Sequence, residues 1–286
     1  YTKMLIGSVP SLTPPNRPIP EVAETALEAK ALNKTYGRVG FFEKGRLVKA
    51  AQDVELILRR GETLGVVGES GSGKSTVARC VVRLIDPTSG DINVVGANIA
   101  QMAESELRAY RQKIQIVFQD PYRSLNPRRT VGQSIVEGPM NFGLSGTEAQ
   151  SRAENLMCVV GLAPEALTRF PHQFSGGQRQ RICIARALAM EPRVLIADEA
   201  VSALDVSVQA QVLRLLQDVR ERYDLAMLFI THDLRVAAQI CDRIMVMQRG
   251  VVVEEGRTSE VYANPHHPYT RSLLNAAPGR ETNFAR

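Results

Sequence analysis

The sequence predicts an α/β fold: a core with a mostly parallel sheet, an antiparallel β subdomain and an inserted helical subdomain. Three observations predict it. Short apolar runs lead into helical segments at "TLGVVG" (63–68), "RVLIAD" (193–198) and "AMLFITHD" (226–233), as parallel strands buried on both faces do. Two β-rich stretches punctuated by Gly37, Gly45 and Gly61, "KALNKTYG" and "KAAQDVELILRRGETLGVVG", stand ahead of these units. Residues 102–170 read as mostly helical, broken by loops at "QDPYRSLNPR" and "NFGLSGT".

In chain order, residues 1–27 are expected to be a tail and a linker. "PSLTPPNRPIP" (10–20) carries five prolines and stays extended, with no core of its own. The main domain is expected over 28–262, with helices at 74–85, 206–221 and 234–240 and the helical lobe at about 102–170. Residues 263–286 form a C-terminal extension.

The 286 residues suffice for one large core plus appendages. A net charge of +5, with 23% charged and 44% apolar residues, is ordinary globular composition. It suits phosphates or an anionic surface, and no basic run is dense enough for a nucleic-acid arm. No apolar run approaches the ~20 residues of a membrane span, and no signal peptide is expected. Cys80, Cys158, Cys183 and Cys241 form no CxxC pair. They are expected to be reduced core thiols in a cytosolic protein.

Gly68-Glu69-Ser70-Gly71-Ser72-Gly73-Lys74-Ser75, followed by Thr76, fits GxxxxGK[ST] between a strand and a helix. The glycines let backbone N–H groups wrap phosphates, and the helix N-terminus adds partial positive charge. Lys74 is expected to reach the β- and γ-phosphates and the Ser75 hydroxyl a Mg²⁺ ion. The core is therefore of the P-loop NTPase kind. "RVLIADEA" ends a strand at Asp198, which can hold the Mg²⁺ shell, with Glu199 next to it to polarise a water. A lone Asp-Glu pair is commonly just a solvated strand end; beside a phosphate loop it is better read as the second half of the site.

"FSGGQRQR" (174–181) puts Ser175, Gly176, Gly177 and Gln178 at another helix N-terminus. A second glycine loop in a chain with one phosphate loop is economically explained if it serves a nucleotide held by another subunit.

With these motifs the chain resembles the nucleotide-binding subunits of ABC transporters over about residues 28–278. Residues 68–75 match Walker A, 174–178 match LSGGQ with Phe for Leu, 194–199 match Walker B, and "SALD" (202–205) matches the D-loop with Asp205. "DEAVSALD" departs from the commoner DEPTSALD and leaves Asp198, Glu199 and Asp205 intact. The resemblance implies a Q-loop role for Gln119, with Mg²⁺ within reach of its carbonyl, and a switch role for His232, facing the γ-phosphate and the attacking water. Tyr36 is placed like the adenine-stacking aromatic, with Phe41 and Phe42 as rivals. His266 and His267 have no carboxylate or Cys near them in sequence, and metal ligation is not expected.

"VFQDPYRSLNPR" and "NPHHPYTRSLL" resemble the oligopeptide/dipeptide importer branch, some members of which carry nickel or glutathione. The implied activity is ATP hydrolysis with Mg²⁺ energising uptake. The implied partners are two transmembrane permease subunits, an extracytoplasmic substrate-binding protein and a second ATPase domain, with no nucleic acid. The implied location is peripheral, at the cytoplasmic face of a bacterial inner membrane. No Cys follows Cys241, so no iron–sulfur cluster is expected. "YTKMLIGSVP" (1–10) resembles "YTRSLLNAAP" (269–278). Together with Tyr rather than Met at position 1, this suggests an excerpt of a fused tandem protein whose second ATPase domain lies here. The alternatives are a soluble ABC ATPase acting on ribosomes or DNA, a P-loop kinase or GTPase, and a binding module that no longer hydrolyses.

Overall fold

The computed structural model describes residues 12–15, 23–37 and 47–277. The expectations placed on residues 1–10, Phe41 and Phe42 lie outside these. Among the described residues ten strands form two sheets. β1 (Thr25–Tyr36), β2 (Val48–Arg59), β4 (Ser89–Val94) and β5 (Ala97–Asn98) make an antiparallel sheet in the order β2-β1-β4-β5. The larger sheet runs β10-β9-β3-β8-β7-β6. Its members are β3 (Thr63–Val67), β6 (Ile114–Phe118), β7 (Val194–Asp198), β8 (Ala226–Thr231), β9 (Arg243–Gln248) and β10 (Val251–Arg257). All its pairings are parallel except β9 with β10.

The central strands β3, β7 and β8 are buried throughout because both faces are covered. In β8, Ala226, Leu228 and Ile230 enter the core shared with the antiparallel sheet and helix α1 (Lys74–Val81). Met227 and Phe229 enter the other core, as the two-residue period of a strand requires. That second core takes in α4 (Val131–Asn141), α5 (Gly146–Val159), α6 (Gly176–Leu188), α7 (Val206–Tyr223) and α8 (Leu234–Ile240), and reaches α9 (Thr258–Ala263) and α10 (Pro268–Ala276). α2 (Glu104–Lys113) and the single turn α3 (Pro121–Ser124) complete the α-helices among the described residues.

Several boundaries differ from the expected ones. β1 begins at Thr25, and Ala26 and Leu27 are buried, so the core starts inside the expected linker. Cross-strand pairing of Leu27 with Leu58 and Val94 draws it in. Leu12, within the proline-rich stretch, packs against the larger core. The 102–170 stretch is not one helical lobe: β6 crosses it as an edge strand of the parallel sheet, and the continuous helical region begins after it. α1 ends at Val81 and α7 extends to Tyr223. Cys80, Cys183 and Cys241 are buried, and burial pushes the Cys80 and Cys183 thiols up to about 11. Cys158 is exposed, contrary to expectation, because it falls on the outer face of α5. No helix among the described residues is long and apolar enough to cross a membrane.

Candidate nucleotide site

The site lies at the carboxyl ends of β3, β8, β7 and β6, adjacent strands of the parallel sheet, where open α/β sheets bind ligands. Residues 68–73 leave β3 and return into α1, whose N-cap is Gly73 at φ 107°. Two glycines here are required. A Cβ on Gly68 (φ 150°) would collide with the Met247 carbonyl, and one on Gly73 with the Ala50 carbonyl. The loop is wedged between β2 and the β9–β10 turn, where the Gly250 amide donates to the Ser72 carbonyl at 2.8 Å. Sequence reasoning missed this support, since nothing in the chain order links Ala50, Met247 and Gly250 to the loop.

The Lys74 ammonium is buried and donates to the Gly68 and Glu69 carbonyls, each at 2.8 Å. Desolvation holds its pKa below the ordinary lysine value, against the opposing attraction of Glu199, Asp198 and Glu69. The Ser75 hydroxyl donates to Asp198 Oδ1 at 2.8 Å. Burial raises the Asp198 carboxyl above the usual carboxylate range, and the Ser75 hydrogen bond partly offsets this.

Glu199 continues the β7 ladder by donating its amide to the Ile230 carbonyl at 3.0 Å. It then turns at φ 50°, a left-handed conformation that costs a non-glycine residue about 1–3 kcal/mol. Its Oε2 lies 3.5 Å from His232 Nδ1, just beyond the end of β8; the His232 side chain is 54% exposed and that of Glu199 20%. Gln119 follows β6, whose Phe118 is in register with Asp198. Its Nε2 donates to the Ser202 hydroxyl at 3.0 Å, and that hydroxyl donates to the Glu199 carbonyl at 2.9 Å. The substitutions Ala200 and Val201 in "DEAVSALD" are buried apolar residues beneath this turn.

Thus Lys74, Ser75, Gln119, Asp198, Glu199 and His232 come together. Among the described residues no hydrogen bond or ion pair joins Tyr36, Ser175, Gly176, Gly177, Gln178 or Asp205 to them. Ser175 and Gln178 close a capping box on α6: the Gln178 amide donates to Ser175 Oγ at 3.3 Å and the Ser175 amide to Gln178 Oε1 at 3.0 Å. Gly177 has a packing role the sequence hid: a Cβ there would run into Val208 of α7. Asp205 caps α7, and the Val208 and Ser207 hydrogen bonds hold its carboxyl below the usual range. Tyr36 ends β1, 41% exposed as a residue, with the Lys34 ammonium 5.2 Å from the ring centre.

Comparison with known proteins identifies the family. The ABC transporter family profile matches residues 51–202, and the profile for the oligopeptide/dipeptide transporter C-terminal region matches 253–283. A probable peptide ABC transporter ATP-binding protein of Sinorhizobium fredii is 50% identical over 260 residues, 90% of this chain and 74% of that one. The oligopeptide transport ATP-binding protein OppF of Escherichia coli is 49% identical over 244 residues, 85% of this chain and 73% of that one. Among solved structures, the dimeric post-hydrolysis state of the ATP-binding cassette MJ0796 with ADP and Pi has a TM-score of 0.72 at 30% identity. It covers 81% of this chain and 98% of that one. The chain therefore belongs to the ABC transporter family and is one of its ATPase cassettes.

Proposed function

We propose that the chain hydrolyses ATP to energise the import of peptides or related small solutes through partner membrane subunits. The observation that carries this is the Glu199–His232 pair, 3.5 Å apart, beside the Ser75–Asp198 contact. The two half-identical relatives, a probable peptide and an oligopeptide transport ATP-binding protein, support the substrate class. The profile match at 253–283 supports reading the C-terminal residues as an importer-type extension.

In this reading the amides of residues 71–76 and the Lys74 ammonium receive the phosphates, and Lys74 exchanges the Gly68 and Glu69 carbonyls for β- and γ-oxygens. The Ser75 hydroxyl, an Asp198 oxygen and the free Gln119 carbonyl form an all-oxygen donor set, which fits Mg²⁺. Bound there, the ion would neutralise charge on the phosphate oxygens. Glu199 accepts the proton of the attacking water, while His232, with Nδ1 3.5 Å from that carboxylate, hydrogen-bonds the γ-phosphate. Tyr36 offers an exposed ring for the adenine. The Ser175–Gln178 cap of α6 and Asp205 serve the second nucleotide, across a head-to-tail interface with another ATPase domain. The protein would work peripherally at the cytoplasmic face of a bacterial inner membrane, with two permease subunits and an extracytoplasmic binding protein. The repeat of Tyr-Thr…Pro between residues 1–10 and 269–278 supports a partner domain fused upstream.

Glu199→Gln tests the assignment. Steady-state ATP hydrolysis is expected to fall about 10²-fold or more while ATP binding survives. Near-normal turnover in that variant would refute it.

A further inference from the structure

Helix α10 approaches the phosphate loop from outside, and one of its side chains reaches the loop backbone. The Glu69 amide donates to the Tyr269 hydroxyl at 3.2 Å. The carbonyl of that same peptide unit, on Gly68, accepts the Lys74 ammonium at 2.8 Å. One peptide unit is therefore held at its amide by Tyr269 and at its carbonyl by Lys74. It sits beside Gly68, at φ 150°, and a glycine joint is the softest in a chain. An outside anchor matters more there than elsewhere.

Tyr269 is itself well held. Its amide donates to His267 Nδ1 at 3.2 Å. The amides of His266 and His267 donate to the Glu254 carboxylate on β10, at 2.7 and 3.1 Å. The Arg271 guanidinium donates to the Pro265 and His266 carbonyls at 2.9 and 3.1 Å. Leu274, five residues on in the same helix, is buried in the larger core. A rigid path thus runs from β10 through the 265–267 turn and α10 to the phosphate loop.

We propose that Tyr269 is a positioning residue for the nucleotide phosphates, its hydroxyl fixing the 68–69 peptide and, while the site is empty, through it the Lys74 ammonium, which makes the C-terminal helix part of the nucleotide site. The proposal rests on reading residues 68–76 as the phosphate site. When phosphates arrive, Lys74 leaves the Gly68 carbonyl, and the Tyr269 hydroxyl then holds this peptide unit. Pre-ordering the loop lowers the entropy lost on binding.

The test compares wild type, Tyr269→Phe and Leu273→Ala by calorimetric titration with ATP and with ADP, by thermal melting, and by ATPase kinetics. Tyr269→Phe keeps the ring and loses only the hydroxyl. Both nucleotides are expected to bind it about 2- to 10-fold more weakly, the range that loss of one hydrogen bond produces. Its KM should rise while kcat and melting temperature stay near wild type. Leu273→Ala trims the packing of α10 on the core and should show the reverse: a lower melting temperature with unchanged nucleotide affinity. Wild-type affinity in Tyr269→Phe, or a loss of affinity that only tracks a loss of melting temperature, overturns the proposal while wild type still binds ATP. Wild-type protein that binds no ATP overturns the phosphate-site reading and the proposal together.

Discussion

Asp198 is asked to be an anion in a place that resists one. Its carboxylate is buried, and burial raises its pKa. The raised value means that ionising Asp198 costs the folded state more than the unfolded one. That cost is absent below the ordinary carboxylate pKa and grows as pH rises through the raised one. Asp198→Asn keeps an oxygen for the Ser75 hydroxyl and removes the charge. The nucleotide-free variant is expected to melt at or above the wild-type temperature near neutral pH, with the gap closing on acidification. Its Mg²⁺-dependent ATP hydrolysis should be lost. A gap that widens toward acid would contradict the burial argument. Glu199 shows the same tension in backbone form: a left-handed turn aims its carboxylate at His232. Both residue types were legible at a strand end in the sequence. The burial of one and the turn of the other were not, because each depends on β6, β7 and β8 lying side by side.

At the scale of elements, α6 and α7 carry the second glycine loop between them. Gly176 and Gly177 look alike in the sequence, and both were read as phosphate-facing backbone. In the fold they differ. A Cβ on Gly176 meets only Leu204 Cδ2 at 4.0 Å, while one on Gly177 would overlap Val208. Gly177→Ala is expected to lose about 1–3 kcal/mol of stability from overpacking, and Gly176→Ala to stay within about 0.5 kcal/mol of wild type. Equilibrium denaturation of the two variants checks this, and equal losses would refute the packing role. The strands were easier to read. β3, β7 and β8 announced themselves as continuous apolar runs, and the short run "IQIVF" ahead of Gln119 reads as a strand and is β6, even inside a mostly helical stretch.

At the scale of the molecule, six residues gather at one end of the sheet, as the proposed site for one nucleotide requires. The capped loop at Ser175–Gln178 is spent on its own helix and not on that cluster. A loop of this kind is explained if a second ATPase domain closes over it. The upstream coding sequence is expected to encode a second phosphate loop and a second SGGQ string. Glu199→Gln protein expressed with that domain should form a tighter unit with ATP than without it, read by domain cross-linking. A start codon directly before Tyr1 would exclude the fused arrangement.

The sequence by itself determined the family and named the candidate residues for its chemistry. Lys74, Ser75, Asp198 and Glu199 announce a phosphate site because each stands at a fixed spacing from a glycine run or a strand end, and spacing is a property of the chain alone. The tertiary structure decided which distant groups support them. Ala50, Met247 and Gly250 close the loop, Ser202 holds Gln119, Val208 demands a glycine at 177, and Tyr269 grips the Glu69 amide across 200 residues of sequence. Those pairings follow from how two sheets and the helices around them pack, and residues brought together by packing leave no periodic mark in the order of the chain.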